Sequence, residues 1–188
     1  MTILEKATTF AMKAHEGSKR KNSTLPYILH LMEATVTAAT MTEDLEVLAA
    51  VMLHDVVEDT GVTLSDIERE FSHYIALLVD SETEDMMEYE TEEITWNMRK
   101  QESIDHLRIT DDRNVKIVWL SDKLSNLRAI RRDYNRLGEN IWNTFHMKDP
   151  ARQAWYYRTI GELLEKDLGN TDAWREYDRL LGEVFRGV

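Results

Sequence analysis

Leu45-Glu46-Val47-Leu48-Ala49-Ala50-Val51-Met52-Leu53-His54-Asp55-Val56-Val57-Glu58-Asp59 holds the key to the fold. From Leu45 to Leu53 apolar residues occupy every side of a helix, which describes a helix buried all round. The spacing predicts one continuous helix from about Glu43 towards Gly61, with Gly61 at its C-cap. Three carboxylates, Asp55, Glu58 and Asp59, then gather at its negative end, where the macrodipole favours cations. A bound divalent cation would repair that mismatch. On a continuous helix His54 and Glu58 share one face, and Asp55 and Asp59 the neighbouring one.

Helical spacing continues on both sides. Ile3, Ala7, Phe10, Ala11 and Ala14 form a stripe that ends near Gly17, and Pro26 suits the first turn of a helix through about Thr40. Thr63 reads as the cap of a short helix. Further helical segments are expected at Ile75–Val79, Trp96–Leu107, about Asn114 to Arg132, Trp142–Leu164 and Thr171–Phe185. The acidic stretch Glu82–Glu93 reads as a loop. Two Pro and seven Gly among 188 residues leave little punctuation for strands. The expectation is an all-α, single-domain helical bundle over 1–188, with a buried metal site and the C-terminal helix packed on the rest.

Composition narrows the function. Thirty-five acidic against 23 basic residues give a net charge of −12, which argues against nucleic acid and anionic membrane surfaces as partners. With no Cys, thiolate catalysis, thiolate zinc sites and disulfides are out. No stretch approaches the roughly 18 apolar residues of a membrane span, and the first residues lack a secretory pattern, so a cytoplasmic setting is expected.

Two more residues can complete a metal shell. His30 lies on an otherwise apolar stretch, and Asp122 lies mid-helix beside Val118 and Trp119, where an unpaired carboxylate is costly to bury. Singly, His30 reads as a hydrogen-bonded core histidine and Asp122 as the partner of an Arg. As a set with His54 and Asp55 they make a mixed nitrogen and oxygen shell, suited to manganese, iron or zinc rather than magnesium. No HExxH pattern is present, which removes zinc peptidases.

Arg20-Lys21, Pro26-Tyr27-Ile28-x-His30, His54-Asp55-Val56-Val57-Glu58-Asp59-Thr60 and Asp122-Lys123-Leu124-x-Asn126-Leu127-Arg128 together resemble the hydrolase domain of RelA/SpoT enzymes, within the HD phosphohydrolase superfamily. The length is similar to the stand-alone small alarmone hydrolases, and the resemblance spans roughly residues 5–165. It implies a manganese ion held by His30, His54, Asp55 and Asp122, and water activation by Glu58 and Asp59. It also implies nucleotide or phosphate contacts from Arg20, Lys21, Lys100, Asn126 and Tyr156. The implied substrate is guanosine tetraphosphate or pentaphosphate, which loses its 3′-pyrophosphate. Three positions depart from the family pattern: Leu31 replaces a usual Pro, Ser125 a usual aromatic or His, and Met86 a frequent Lys. Two alternatives stay open: an HD phosphohydrolase for another nucleotide or phosphorylated metabolite, and a non-catalytic helical module stabilised by metal. Oligomeric state is not read from the sequence.

Overall fold

The computed structural model describes residues 1–84 and 92–188. Met86 and the middle of the expected Glu82–Glu93 loop lie outside them. The described residues form ten α-helices, one 3-10 segment and no strand beyond an isolated bridge between Lys19 and Pro26. The all-α expectation holds. At a finer grain the packing gathers the chain into two compact units.

The first unit comprises Met1–Thr83 and Asp112–Asp122. Helix α1 (Ile3–Ala14) starts from a reciprocal cap, in which Thr2 Oγ1 accepts from the Glu5 N–H and the Glu5 carboxylate accepts from the Thr2 N–H. Helix α2 (Ile28–Ala38) follows the bridged loop, so Pro26 lies just ahead of the helix rather than in its first turn. Asp44 caps α3 (Leu45–Leu53) by accepting from the Glu46 N–H at 2.9 Å. Helix α3 packs against α1, α2 and α6 (His73–Asp80), and its residues from Val47 to Leu53 are all buried. Enclosure by three helices explains a segment with no polar face.

The helix does not continue to Gly61. It stops at Leu53, turns through His54 and Asp55, and resumes as a single turn, α4 (Val56–Asp59), with Thr60 and not Gly61 at the C-cap. The cause is local. His54 Nδ1 donates to the Val51 carbonyl at 2.7 Å, and that carbonyl would accept from the Asp55 N–H in a continuing helix. Helix α5 (Leu64–Glu70) carries the expected Thr63 cap, closed reciprocally by Asp66. Helix α8 (Arg113–Leu137) contributes its opening turns to this unit, where Trp119 donates its indole N–H to the Ser81 carbonyl at 3.0 Å.

The second unit comprises Glu84–Asp111 and Lys123–Val188. Here α9 (Pro150–Leu168) packs against α7 (Glu92–Ile109) and α10 (Asp172–Val184). Trp142 is not the start of a helix to Leu164; it sits in a 3-10 segment, Gly138–Thr144, and α9 begins at Pro150. Proline has no N–H and disfavours helical backbone at the residue before it, so a helix starts there and cannot run through it. Gly161 lets the Tyr177 ring approach α9, since a Cβ there would lie 3.1 Å from Tyr177 Cε1. Arg128 grips Glu176 through two nitrogens, at 2.9 and 2.6 Å. Among the described residues no helix is long and apolar enough to cross a membrane.

Leu53 is fully buried at the end of α3. Leu53→Ala is expected to cost about 2–5 kcal/mol, read from the midpoint of urea unfolding.

Candidate metal centre

Three separate pieces of backbone bring four ligand-type side chains to one point in the first unit. His30 comes from the first turn of α2, His54 and Asp55 from the break after α3, and Asp122 from α8. His30 Nε2 and His54 Nε2 lie 3.2 Å apart. Asp122 Oδ1 is 3.0 Å from His30 Nε2 and 3.2 Å from His54 Nε2. Asp55 Oδ2 is 3.3 and 3.1 Å from the same two nitrogens. All four ligand atoms lie within 4.8 Å of one another. His54 and Asp55 are consecutive at the end of α3, and both reach the point from backbone in the helical region, φ −54° and ψ −40° at His54 and φ −90° and ψ −3° at Asp55.

The spacing fits an ion. Ligands at about 2.1 Å from a cation stand about 3.0 Å apart at right angles and about 3.4 Å apart in a tetrahedron. Both histidines and Asp122 are almost wholly buried, and buried carboxylates need a cation or donors around them. The Nδ1–H of His54 is engaged by Val51, which leaves Nε2 as the nitrogen to ligate. This donor set can hold a divalent metal.

In the metal-free site the charges hold one another. Burial works against a charged His54, yet Asp55 and Asp122 override it and raise its pKa well above the usual imidazole value. Burial likewise opposes ionised Asp55, and the facing imidazoles of His54 and His30 override it, holding its pKa well below the usual carboxylate value. Asp55 occupies the N-cap position of α4 without capping it. Its Oδ2 accepts from the Tyr27 hydroxyl at 2.6 Å.

Glu58 and Asp59 lie outside the four-atom cluster, as exposed residues of α4. Partial desolvation of the Asp59 carboxyl, reinforced by the charge of Asp55, raises its pKa; Tyr27 acts the other way. The expected face-sharing of His54 with Glu58 does not apply, because the helix is broken between them.

Of the residues expected at a substrate, Arg20 stands 5.5 Å from the centre of the Tyr27 ring, in a loop closed by the Arg20 N–H to Leu25 carbonyl bond. Lys21 beside it is exposed. In the second unit Lys100 lies 4.8 Å from the centre of the Tyr156 ring and pairs with half-buried Glu84, which Arg99 also holds at 2.7 Å. Burial opposes an ionised Glu84, but Lys100, Lys123 and Arg99 override it and lower its pKa. Asn126 follows Asp122 by one turn on α8. The departing residues Leu31 and Ser125 are both fully buried.

Two further residues stand at this centre, Tyr27 and His15, and the sequence pattern assigns neither a task. His15 is buried and stacked on Tyr27, with ring centres 4.9 Å apart. Its position four after Ala11 and eight after Ala7 continues the apolar stripe of α1, and that was the available signal.

An all-helical unit with two histidines and two aspartates closing on one point defines a class of metal-dependent phosphohydrolases. The HD domain family matches residues 7–150, and the chain belongs to that family. It is closely related to RelA/SpoT hydrolase homologues. It is 32% identical over 193 residues to a guanosine-3′,5′-bis(diphosphate) 3′-pyrophosphohydrolase of Vibrio cholerae, covering 98% of this chain and 26% of that protein. It is 34% identical over 129 residues to a GTP pyrophosphokinase of Streptomyces coelicolor, covering 68% of this chain and 15% of the relative. The chain therefore spans about a quarter or less of these relatives. Among solved structures, a Listeria monocytogenes protein superposes with a TM-score of 0.73 at 29% identity, covering 89% of this chain and 99% of that one. A metazoan ortholog of SpoT that hydrolyzes ppGpp shares the fold, with a TM-score of 0.77 at 21% identity over 100% of this chain and 97% of its own.

Metal binding is expected to release a proton, because raised His54 holds one at neutral pH and must lose it to ligate. Apparent metal affinity then climbs by up to about tenfold per pH unit below the folded pKa of His54. Calorimetry in buffers of different ionisation enthalpy reads this directly; buffer-independent heats at pH 6 would contradict it. In the metal-free protein, the stability from His54 is complete below the ordinary imidazole pKa and fades as pH rises through its raised value. That from Asp55 is complete above the ordinary carboxylate pKa and fades as pH falls through its lowered one.

Proposed function

We propose that this chain hydrolyses guanosine tetraphosphate or pentaphosphate to GDP or GTP plus pyrophosphate, with manganese resident among His30, His54, Asp55 and Asp122. The observation that carries the reading is the closure of those four side chains within 3.0–3.3 Å contacts, with two further carboxylates, Glu58 and Asp59, left outside. A purely structural site has no use for extra unligated carboxylates. The relative from Vibrio cholerae, matched along 98% of this chain, bears the name of that reaction, and a cytoplasmic setting suits a chain without cysteine.

A divalent ion there supplies Lewis acidity toward water and a phosphoryl oxygen. The protein supplies the rest. Asp59, whose raised pKa moves it toward the range of a general base, takes the proton from the attacking water, and Glu58 orients that water. The water oxygen bonds to the phosphorus attached to the 3′ oxygen, that P–O bond breaks, the proton taken up by Asp59 passes to the 3′ oxygen, and pyrophosphate leaves. Arg20 and Lys21 hold phosphate oxygens by charge-assisted hydrogen bonds. Lys100, Asn126 and Tyr156 complete the proposed contacts through ammonium, amide and ring.

Incubation with guanosine tetraphosphate and manganese is expected to yield GDP and pyrophosphate; preference for another nucleotide in a panel would sink the substrate assignment. Asp59→Asn and Glu58→Gln are each expected to cut turnover by about 10²–10⁴ while metal content stays near normal. Normal turnover in both would remove them from the chemistry. Arg20→Ala is expected to raise KM by roughly 10–100-fold, less for a substrate without the 3′-pyrophosphate. Unchanged kinetics in an Arg20→Ala, Lys21→Ala double variant would make the loop plain surface.

A further inference from the structure

We propose that Tyr27 is a positioning residue of the metal centre, fixing one oxygen of Asp55 on the ligand point, and that His15 is the plate that braces it. The inference rests on the metal reading of the cluster and adds a second layer to it.

The geometry singles out one atom. Asp55 Oδ2 accepts the Tyr27 hydroxyl at 2.6 Å and is also the oxygen that meets both imidazoles, at 3.1 and 3.3 Å. A carboxylate oxygen has two lone pairs in its plane. With the phenol on one, the other is left facing the two histidines, so the carboxylate presents a single directed donor. The alternative posture is close at hand: an Asp at a helix N-cap ordinarily turns back to the N–H groups of the next turn. Asp55 sits at that position and makes no such bond. The phenol contact, short as expected for a hydroxyl on an anion, offsets the missing cap.

Tyr27 is itself held from several sides. Its ring meets His30 edge-on, with centres 5.5 Å apart at 74°, so one side chain touches two of the four ligand residues. His15 lies nearly parallel to it, at 4.9 Å and 19°. Only 4% of His15 is exposed, and neither ring nitrogen has a hydrogen-bond partner. Its contribution is therefore ring packing. An aromatic plate of the same shape should replace it, whereas a small side chain should not.

Manganese titration of the whole chain by calorimetry, beside thermal unfolding of the metal-free protein, tests this. Tyr27→Phe keeps the ring and deletes only the hydroxyl. Affinity is expected to fall about 10–100-fold, as for other outer partners of metal ligands, with the metal-free Tm little changed. His15→Phe should bind manganese within about threefold of wild type and His15→Ala clearly less tightly, which tests the brace with Tyr27 intact. Equal or tighter binding by Tyr27→Phe overturns the inference, and so does a loss matched by a drop in metal-free Tm, which marks general packing. Equal affinities for His15→Phe and His15→Ala overturn the brace. If wild type takes up no manganese, the metal reading fails and this inference with it; if wild type binds and Tyr27→Phe binds alike, the inference alone fails.

Discussion

Two carboxylates and two imidazoles share a buried space only if positive charge stands among them. Desolvating ionised groups costs several kcal/mol each, and like charges close together add to it. In the metal-free molecule that charge is a proton on His54, held by Asp55 and Asp122 against the effect of burial. A divalent ion answers the same need with more charge and better geometry. The arrangement of the first unit follows from this constraint: α2, the turn after α3, and α8 each deliver a residue to one point, and none delivers it alone.

Helix α3 makes the delivery exact enough to use. Because α1, α2 and α6 enclose it, it has no freedom to rotate a polar face outward, and its end is fixed by packing. Groups mounted on rigid elements hold their geometry better than groups on loops. The break at its end leaves Glu58 and Asp59 as exposed residues of a short turn, outside the ligand cluster.

The helices were legible because their apolar periodicity is strong, and the start of α5 is written in Thr63. The four converging residues were legible as a set because each is a poor choice for its neighbourhood unless partnered. What periodicity missed were departures from ideal helix. Residues 54–59 read as continuous because nothing in their order announces that an imidazole takes a backbone carbonyl one turn back. Near Trp142, apolar spacing carries the helical pattern back past Pro150, although proline decides where a helix starts. Tyr27 and His15 were missed for another reason: an aromatic on an apolar stripe looks the same whether it fills space or holds a ligand in place. Only the 2.6 Å contact with Asp55 separates the two.

Charge bears on the proposed phosphate substrate. With 35 acidic and 23 basic side chains the protein repels polyanions at long range, but screening over about 10 Å at 0.1 M salt leaves local charge to decide. Much of the positive charge elsewhere already faces carboxylates: Arg128 meets Glu176, Arg131 meets Glu183, and Arg99 and Lys100 meet Glu84. The loop of Lys19, Arg20 and Lys21 lies in the same unit as the cluster and sets a guanidinium over the Tyr27 ring. In the metal-free centre the carboxylates of Asp55 and Asp122 face one proton, on His54; exchanging that proton for a divalent ion balances both negative charges. Loading the centre therefore does more than add a Lewis acid. It lowers the negative charge of the centre in the same unit as the basic loop, which suits the proposed phosphate substrate.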